Sequence, residues 1–581
     1  MVNITIDSIK LSVPADSTIL EAAKKANIKI PTLCYIPEIQ KIGACRMCLV
    51  EVKGNPKLLA SCCTPVFEGM EVVTNNQKIR KARKFVLELI LSDHPMTCLT
   101  CERNMKCELQ TLAGELGIDT IRYQGEKSSR GSDTVTKTLQ YDGSKCIYCK
   151  RCETMCNTVQ TVGAIYSKKR GFNAEVGTPF DLPFSDTVCT SCGQCVLNCP
   201  VAALKDNENI DEAWEAINDP EKITVVQVAP SVRVTLGEEF GMKPGTVVTG
   251  KIFAAMRKIG FDYIFDTDFG ADLTIMEEGH EFIDRVKNGG VLPMITSCSP
   301  GWVNFLETFF PELIPNLSSA KSPQQMLGAM VKSYFAKKIN VDPKKIVNIT
   351  VMPCTAKKGE AGRPELSVDN LSDIDIVMTT REFAKMIKQA EVDFLNIPEE
   401  EPDNPLGIST GAAVIFGASG GVMEAALRTA LEVIEGHELE KIDFEEVRGL
   451  KLDGAKEAQV KTKIDGKEVV VKVAVASGLA NARKLMEKVR DGKADYHFIE
   501  IMACPGGCIG GGGQPKPTNT EIRKMRIEGI YSADKAMKLR KSHENPAIKE
   551  LYKEFLGAPL SEKSHKYLHT HYNKQEYYKK I

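Results

Sequence analysis

Val2, Ile4 and Ile6 alternate with polar residues, and Ile9, Leu11 and Val13 repeat the alternation. Two such runs in succession predict a β-hairpin. Thr18 and Glu21 stand three apart ahead of an apolar stretch, the spacing of a capping box, so "TILEAAKKANI" opens a short helix. Residues 78 to 92 carry apolar and basic residues at helical spacing and predict a basic amphipathic helix. Residues 120 to 140 are polar and read as a linker.

From about residue 210 the pattern changes. Apolar runs such as "ITVVQVAP", "VLPMITSC", "VNITVMPC", "IDIVMTT" and "YHFIEIMAC" alternate with helical stretches such as "GKIFAAMRKIG" and "GVMEAALRTALEVI". That order implies α/β layers with buried parallel strands. Three of the runs end in Cys298, Cys354 and Cys504. Sites in α/β folds form beyond the carboxyl ends of strands, so these cysteines are expected to meet in one crevice. "MEEGHEF" reads as a charged, solvated stretch of helix. The tail after residue 530 reads as helical and polar, with no legible chemistry.

At 581 residues, three to five domains are expected. A hydrophobic share of 43% and a charged share of 26% describe a soluble globular chain. Lys plus Arg number 75 against 76 for Asp plus Glu, which offers nothing to nucleic acid or an anionic membrane. The apolar runs are strand-length and the start lacks a signal-peptide pattern, so a cytoplasmic location is expected. Twenty cysteines in tight clusters change the picture: in such a chain they favour metal over disulfides.

Cys34, Cys45, Cys48 and Cys62 follow nearly the spacing of plant-type ferredoxins and predict a 2Fe-2S cluster, since thiolates are the soft ligands iron–sulfur groups need. Zinc is the alternative, and the wide first spacing argues against it. Cys63 is surplus and reads as a buried structural thiol, with an exchange of roles with Cys62 open. "CIYCKRC" and "CTSCGQC", each followed by a further cysteine, are two copies of one C-x2-C-x2-C-x3-C run. Such a run serves two 4Fe-4S clusters that exchange their fourth ligands. One takes Cys146, Cys149, Cys152 and Cys199, and the other Cys189, Cys192, Cys195 and Cys156. His94, Cys98, Cys101 and Cys107 predict a third 4Fe-4S cluster with an imidazole in place of one thiolate. Four clusters within the first 200 residues make a wire for single electrons, and a wire implies a destination.

"TSCSPGW" at 296–302, "MPCTAKKGE" at 352–360 and "EIMACPGGCIGGGGQP" at 500–515 resemble the signature stretches of FeFe (iron-only) hydrogenases, and the upstream cluster motifs stand in the order of the large clostridial type. The resemblance implies an H-cluster: a 4Fe-4S cluster joined through a cysteine sulfur to a two-iron unit carrying CO, CN and an azadithiolate. Cys508 matches the bridging cysteine, and Cys354 and Cys504 match two further ligands. The glycines of the third stretch would let backbone pass close to so bulky a group. Lys357 matches a lysine that hydrogen-bonds a cyanide. Pro230, Ser231 and Gln324 match cofactor-wall positions, and Met352 and Met502 match methionines beside the two-iron unit. A proton relay is implied from Arg285 and Glu281 through Ser318 and Glu278 to Cys298. The family usually has two adjacent cysteines where this chain has Cys298 and Ser299. Three outcomes stay open: Ser299 oxygen ligates, Cys298 ligates and Ser299 relays protons, or one iron position is left to solvent.

The expected fold is a multidomain α+β and α/β chain. Residues 1–77 form a β-grasp ferredoxin-like domain, 78–125 the His/Cys3 cluster domain, 138–209 a two-cluster ferredoxin-like domain, and 210–581 the H-cluster domain with a helical tail. The implied activity is reversible reduction of protons to H2 with electrons from reduced ferredoxin, after installation of the two-iron unit by maturation proteins. The alternatives are the catalytic subunit of an NADH-linked or electron-bifurcating complex, and a hydrogen sensor.

Overall fold

The computed structural model describes residues 1–464 and 467–578. At the N-terminus, Val2–Ile6 pairs antiparallel with Ile9–Val13, Val2 opposite Val13, and parallel with Glu71–Val73. Leu49–Val52 and Leu59–Ala60 complete a five-stranded sheet. Helix Ile19–Lys25 begins on the expected capping box between Thr18 and Glu21. Its Ile19, Leu20, Ala22 and Ala23 pack on Ile4, Ile6 and Val13. Each aliphatic side chain buried in this way contributes about 1.5–3 kcal/mol, which is why both hairpin strands hold one register.

Helix Gln77–Asp93 starts on the side chain of Asn76. Arg83 points inward from it and donates to the carbonyls of Leu49 and Thr74, fastening the helix to the sheet. The polar stretch 120–140 is not a free linker. Ser128 and Arg130 bind the carboxylate of Asp93, Arg130 also donates to the Cys146 carbonyl, and Ser132–Asp133 pairs with Leu139–Asp142. Polar bonds to backbone hold this segment, and they leave no apolar period in a sequence.

The region after residue 210 contains two four-stranded sheets. In one, Tyr263–Asp266, Ile223–Val228, Ile346–Met352 and Ile376–Thr379 are all parallel, as expected. In the other, Met294–Ile295 and Lys467–Ser477 flank Phe498–Met502 in parallel, but Lys456–Ile464 adds an antiparallel edge.

The long helix Thr267–Asn288 runs through this region with fourteen of its residues buried, Glu277, Glu278 and Glu281 among them. "MEEGHEF" is therefore not a solvated face. The tail covers it: Leu551, Tyr552, Phe555, Leu556, Tyr567 and Leu568 pack in one cluster with Phe269 and Leu273.

Candidate functional site

Cys354 and Cys504 each follow the end of a parallel strand by two residues, and Cys298 follows Met294–Ile295 by three. Strand ends from both sheets thus deliver Cys298, Cys354 and Cys504 to a single cavity of about 80 Å³, which Cys508 and Ser299 also line. Pro230, Gln324, Met352, Met502 and Lys357 form more of its wall. Ser231 is fully buried, and its hydroxyl accepts from Gln514 Nε2 at 3.1 Å.

The glycines have a closer cause than room for a large group. A Cβ on Gly511 would stand 2.2 Å from the Pro353 carbonyl oxygen, and one on Gly512 would stand 2.6 Å from that of Cys192. At Gly507, φ is +91° and a Cβ would meet the Ser419 amide nitrogen at 2.5 Å. The loop carrying Cys508 is thus pressed against the strand end before Cys354 and against the Cys192 loop, and only glycine permits either approach.

Lys357 is not an unpartnered ammonium waiting for an anion. Its Nζ donates to Glu360 Oε2 at 2.8 Å and to Ser322 Oγ at 2.7 Å. Gln324 is held as well, donating to Glu360 and accepting from Thr350. Ser299 Oγ accepts from the Ala503 amide at 3.2 Å, which ties it to the residue before Cys504. Burial pushes the thiols of Cys298, Cys354 and Cys504 above the ordinary range, and that of Cys508 up to about 12. The Glu278 charge adds to the rise at Cys298, whereas Cys354 and Cys192 add to it at Cys504. Soft donors converging in a dry pocket, beside a buried cation and a glycine-backed wall, fit an iron–sulfur group, which removes the thiol protons as it binds.

Behind Cys298 stands a run of polar groups. Arg285 Nη2 donates to Glu281 Oε1 at 2.6 Å, and Ser318 Oγ donates to Glu281 Oε2 at 3.2 Å. Glu278 is fully buried, and neither carboxylate oxygen has a hydrogen-bond partner among the described residues. Burial pushes it up to about 8, against the lowering effect of nearby Ser318. At neutral pH it carries a proton.

Toward the N-terminus, the thiol of Cys34 contacts those of Cys45 and Cys62, and Cys62 contacts Cys48. Cys63 turns outward and is exposed, contrary to the buried role expected of it. Adjacent residues face opposite ways here, so only Cys62 joins the group. Cys152 faces Cys146, Cys149 and Cys199, while Cys195 faces Cys156, Cys189 and Cys192. Cys192 also lines the cavity of Cys354 and Cys504, so the second group adjoins it. His94, Cys98, Cys101 and Cys107 surround a small hollow. Burial brings the His94 imidazole down to about 4, and its Nδ1 has no partner among the described residues. A neutral ring with a free nitrogen is the form that binds metal.

Several residues of this neighbourhood carried no sequence signal. Glu360, Ser322 and Ser319 lie beside recognised positions. Glu277 and His569 are joined across 292 positions by a 3.0 Å contact, which no periodicity reveals.

The comparisons with known proteins agree with this geometry. Residues 222–512 match the family described as "Iron only hydrogenase large subunit, C-terminal domain". Residues 520–575 match "Iron hydrogenase small subunit", 1–77 a 2Fe-2S cluster binding domain, and 83–122 the iron–sulfur binding region of NADH-ubiquinone oxidoreductase-G. Among curated relatives, the NADP-reducing hydrogenase subunit HndD of Solidesulfovibrio fructosivorans is 52% identical, with 99% of each chain covered. Iron hydrogenase 1 of Clostridium pasteurianum is 42% identical over 99% of this chain and 100% of that one. The solved apo FeFe hydrogenase HydA1 of Chlamydomonas reinhardtii superposes with a TM-score of 0.58 at 44% identity, covering 63% of this chain and 99% of its own. Fold and site define an iron–sulfur oxidoreductase. The chain belongs to the FeFe hydrogenase family, with 2Fe-2S and 4Fe-4S binding domains ahead of its catalytic region.

Proposed function

We propose that this chain interconverts protons and H2 at the cavity of Cys298, Cys354, Cys504 and Cys508, with electrons arriving through four accessory clusters. The observation that carries the reading is the convergence of three strand-end loops on one buried, cysteine-lined cavity. Cys354, Cys504 and Cys508 would hold the H-cluster, and Ser299, which lines the same cavity, would offer its oxygen as the fourth ligand. The bound H-cluster supplies the redox-active iron at which protons and electrons combine.

The chain's own residues manage the protons. The Cys298 thiol releases its proton into the cavity and regains one from Glu278, which is neutral in its dry site and is refilled from Glu281 through the Ser318 hydroxyl. Arg285 holds Glu281 in place. Met352 and Met502 exclude water, and Lys357, fixed by Glu360, keeps a positive charge at the wall.

Cys34, Cys45, Cys48 and Cys62 would hold a 2Fe-2S cluster, and His94, Cys98, Cys101 and Cys107 a 4Fe-4S cluster, groups that would supply one-electron redox chemistry at the entry side. The cysteines of the repeat would hold two further 4Fe-4S clusters, and Cys192, a ligand of the second, also lines the cavity. The domain division at 1–77, 78–125, 138–209 and 210–581 follows these groups. Iron and sulfide counts on Cys189→Ala test the inventory: one four-iron signal is lost, and unchanged spectra defeat the assignment.

The electron partner divides two readings. A full-length relative named as an NADP-reducing hydrogenase subunit favours a catalytic subunit that works with a nicotinamide-linked partner. Direct exchange with ferredoxin is the second reading, and it follows from the order of the cluster motifs, which resembles the large clostridial type. Maturation proteins that install the two-iron unit, and a cytoplasmic setting, belong to both. Among the described residues no helix is long and apolar enough to cross a membrane. Matured chain alone is to be assayed for H2 evolution with reduced ferredoxin and with NADPH. Activity with ferredoxin alone supports the second reading, and NADPH activity that appears only with co-purified subunits supports the first.

A further inference from the structure

Glu281 has a neighbour that the relay just described leaves out. Ser319 donates to Glu281 Oε2 from both its amide and its hydroxyl, each at 3.0 Å. On the far side, Ser319 Oγ lies 2.8 Å from His569 Nδ1, and His569 Nε2 lies 3.0 Å from Glu277 Oε2. Tyr552 and the Leu560 amide also donate to Glu277. The side chain of His569 is 5% exposed, and its ring lies tilted at 45° against that of exposed His565 with centroids 4.3 Å apart. A continuous run of hydrogen-bonding groups therefore joins the C-terminal helix Glu562–Leu568 and its edge to the middle of the relay.

Arg285 at the other entrance is a poor proton source. A guanidinium stays protonated in proteins, and this one is tied to the carbonyls of Asn316 and Leu317. Histidine is the side chain built to take up and release a proton near neutrality. We propose that His569 passes protons to Glu281 through Ser319, so that the C-terminal segment forms a second branch of the relay. The inference rests on the relay reading above. In the step, His569 gives its Nδ1 proton to Ser319 Oγ while the Ser319 hydroxyl proton moves to Glu281 Oε2. Imidazolium plus carboxylate become imidazole plus carboxylic acid, and no electron moves. Glu277 stays ionised and faces the retained Nε2–H. Burial opposes that ionisation, but bonds from His569, Tyr552 and Leu560 hold the carboxyl below its ordinary range. Solvent refills the ring past His565. The groups facing His569 are thus Glu277, Tyr552, Ser319 with Glu281 behind it, and His565.

The test compares His569→Gln, Ser319→Ala and Glu281→Gln in matured, full-length protein under a chemical reductant. His569→Gln and Ser319→Ala are expected to retain infrared CO and CN bands, slow H2 evolution about tenfold, raise the solvent deuterium isotope effect and change the pH profile. In protein lacking the two-iron unit, Ser319→Ala should move the ¹⁵N signal of His569 Nδ1. A tail clamp without proton traffic would leave isotope effect and pH profile as in wild type, which overturns the branch while slow Glu281→Gln upholds the relay. Full turnover in Glu281→Gln would overturn the relay reading itself. If His569→Gln fails to fold, Ser319→Ala decides alone.

Discussion

Glu277 and Glu278 are neighbours on one buried helix, yet their carboxyl groups are displaced in opposite directions. Glu277 has three donors and stays ionised, while Glu278 has no hydrogen-bond partner among the described residues and rises to about 8. A helix turns about 100° per residue, so consecutive side chains meet different surroundings. One faces the tail and the other faces Cys298. That divergence separates a charged anchor from a proton carrier.

The raised value of Glu278 has a stability consequence. A carboxyl raised in the folded state stabilises folding fully only below its ordinary value of 4.5, and that contribution is lost as pH rises through about 8. Glu278→Gln removes the penalty. Its gain in Tm over wild type should be larger at about pH 8 than at about pH 6, while H2 evolution falls at least about a hundredfold. A Tm difference that is flat with pH would contradict the buried, neutral acid.

The pair Cys298–Ser299 separates donor from ligand. Cys298→Ala should keep the infrared CO and CN bands and nearly abolish turnover, because a methyl group carries no proton. Loss of the bands would make Cys298 an iron ligand instead. Ser299→Cys should stabilise the cluster with activity retained, since a thiolate suits iron better than a hydroxyl.

His94 is expected to ligate through a neutral ring, its value having been brought down to about 4 by burial. His94→Cys should keep a four-iron cluster at a lower potential, because thiolate adds negative charge. His94→Ala should slow reduction by an external donor more than proton–deuterium exchange on H2. Redox titrations of His94→Cys that overlay wild type would remove His94 from the ligand set.

Gly512 marks the contact between the Cys508 loop and the Cys192 loop, with no room for a Cβ beside the Cys192 carbonyl. Gly512→Ala should destabilise the fold by about 1–3 kcal/mol and slow electron delivery from the neighbouring cluster. Thermal unfolding and stopped-flow reduction measure the two effects, and a variant equal to wild type in both would show that the loops are free to part.

Much was legible in the sequence because the chemistry sits in local spacing. The hairpin of Val2–Ile6 with Ile9–Val13 and the Thr18 capping box each depend on residues a few positions apart and appear as read, and the doubled cysteine run gathers its thiols in two groups. The strand ends before Cys354 and Cys504 were legible for the same reason, since a buried parallel strand is an uninterrupted apolar run. Burial of polar groups was not legible. Glu278 reads as surface charge and the tail after residue 530 as polar, because the groups that bury them come from distant segments, while nothing in the sequence shows that Glu360, only three positions from Lys357, forms a buried pair with it. What the amino-acid order determined by itself was the inventory: which donors exist, at what spacing, on which elements. Only the tertiary structure decided that Cys62 turns inward and Cys63 outward, that Glu360 and Lys357 form a buried ion pair, and that His569 reaches Glu277 and Ser319. The His569 contacts are set by packing between segments 250 and 292 positions apart, and packing leaves no period in a sequence.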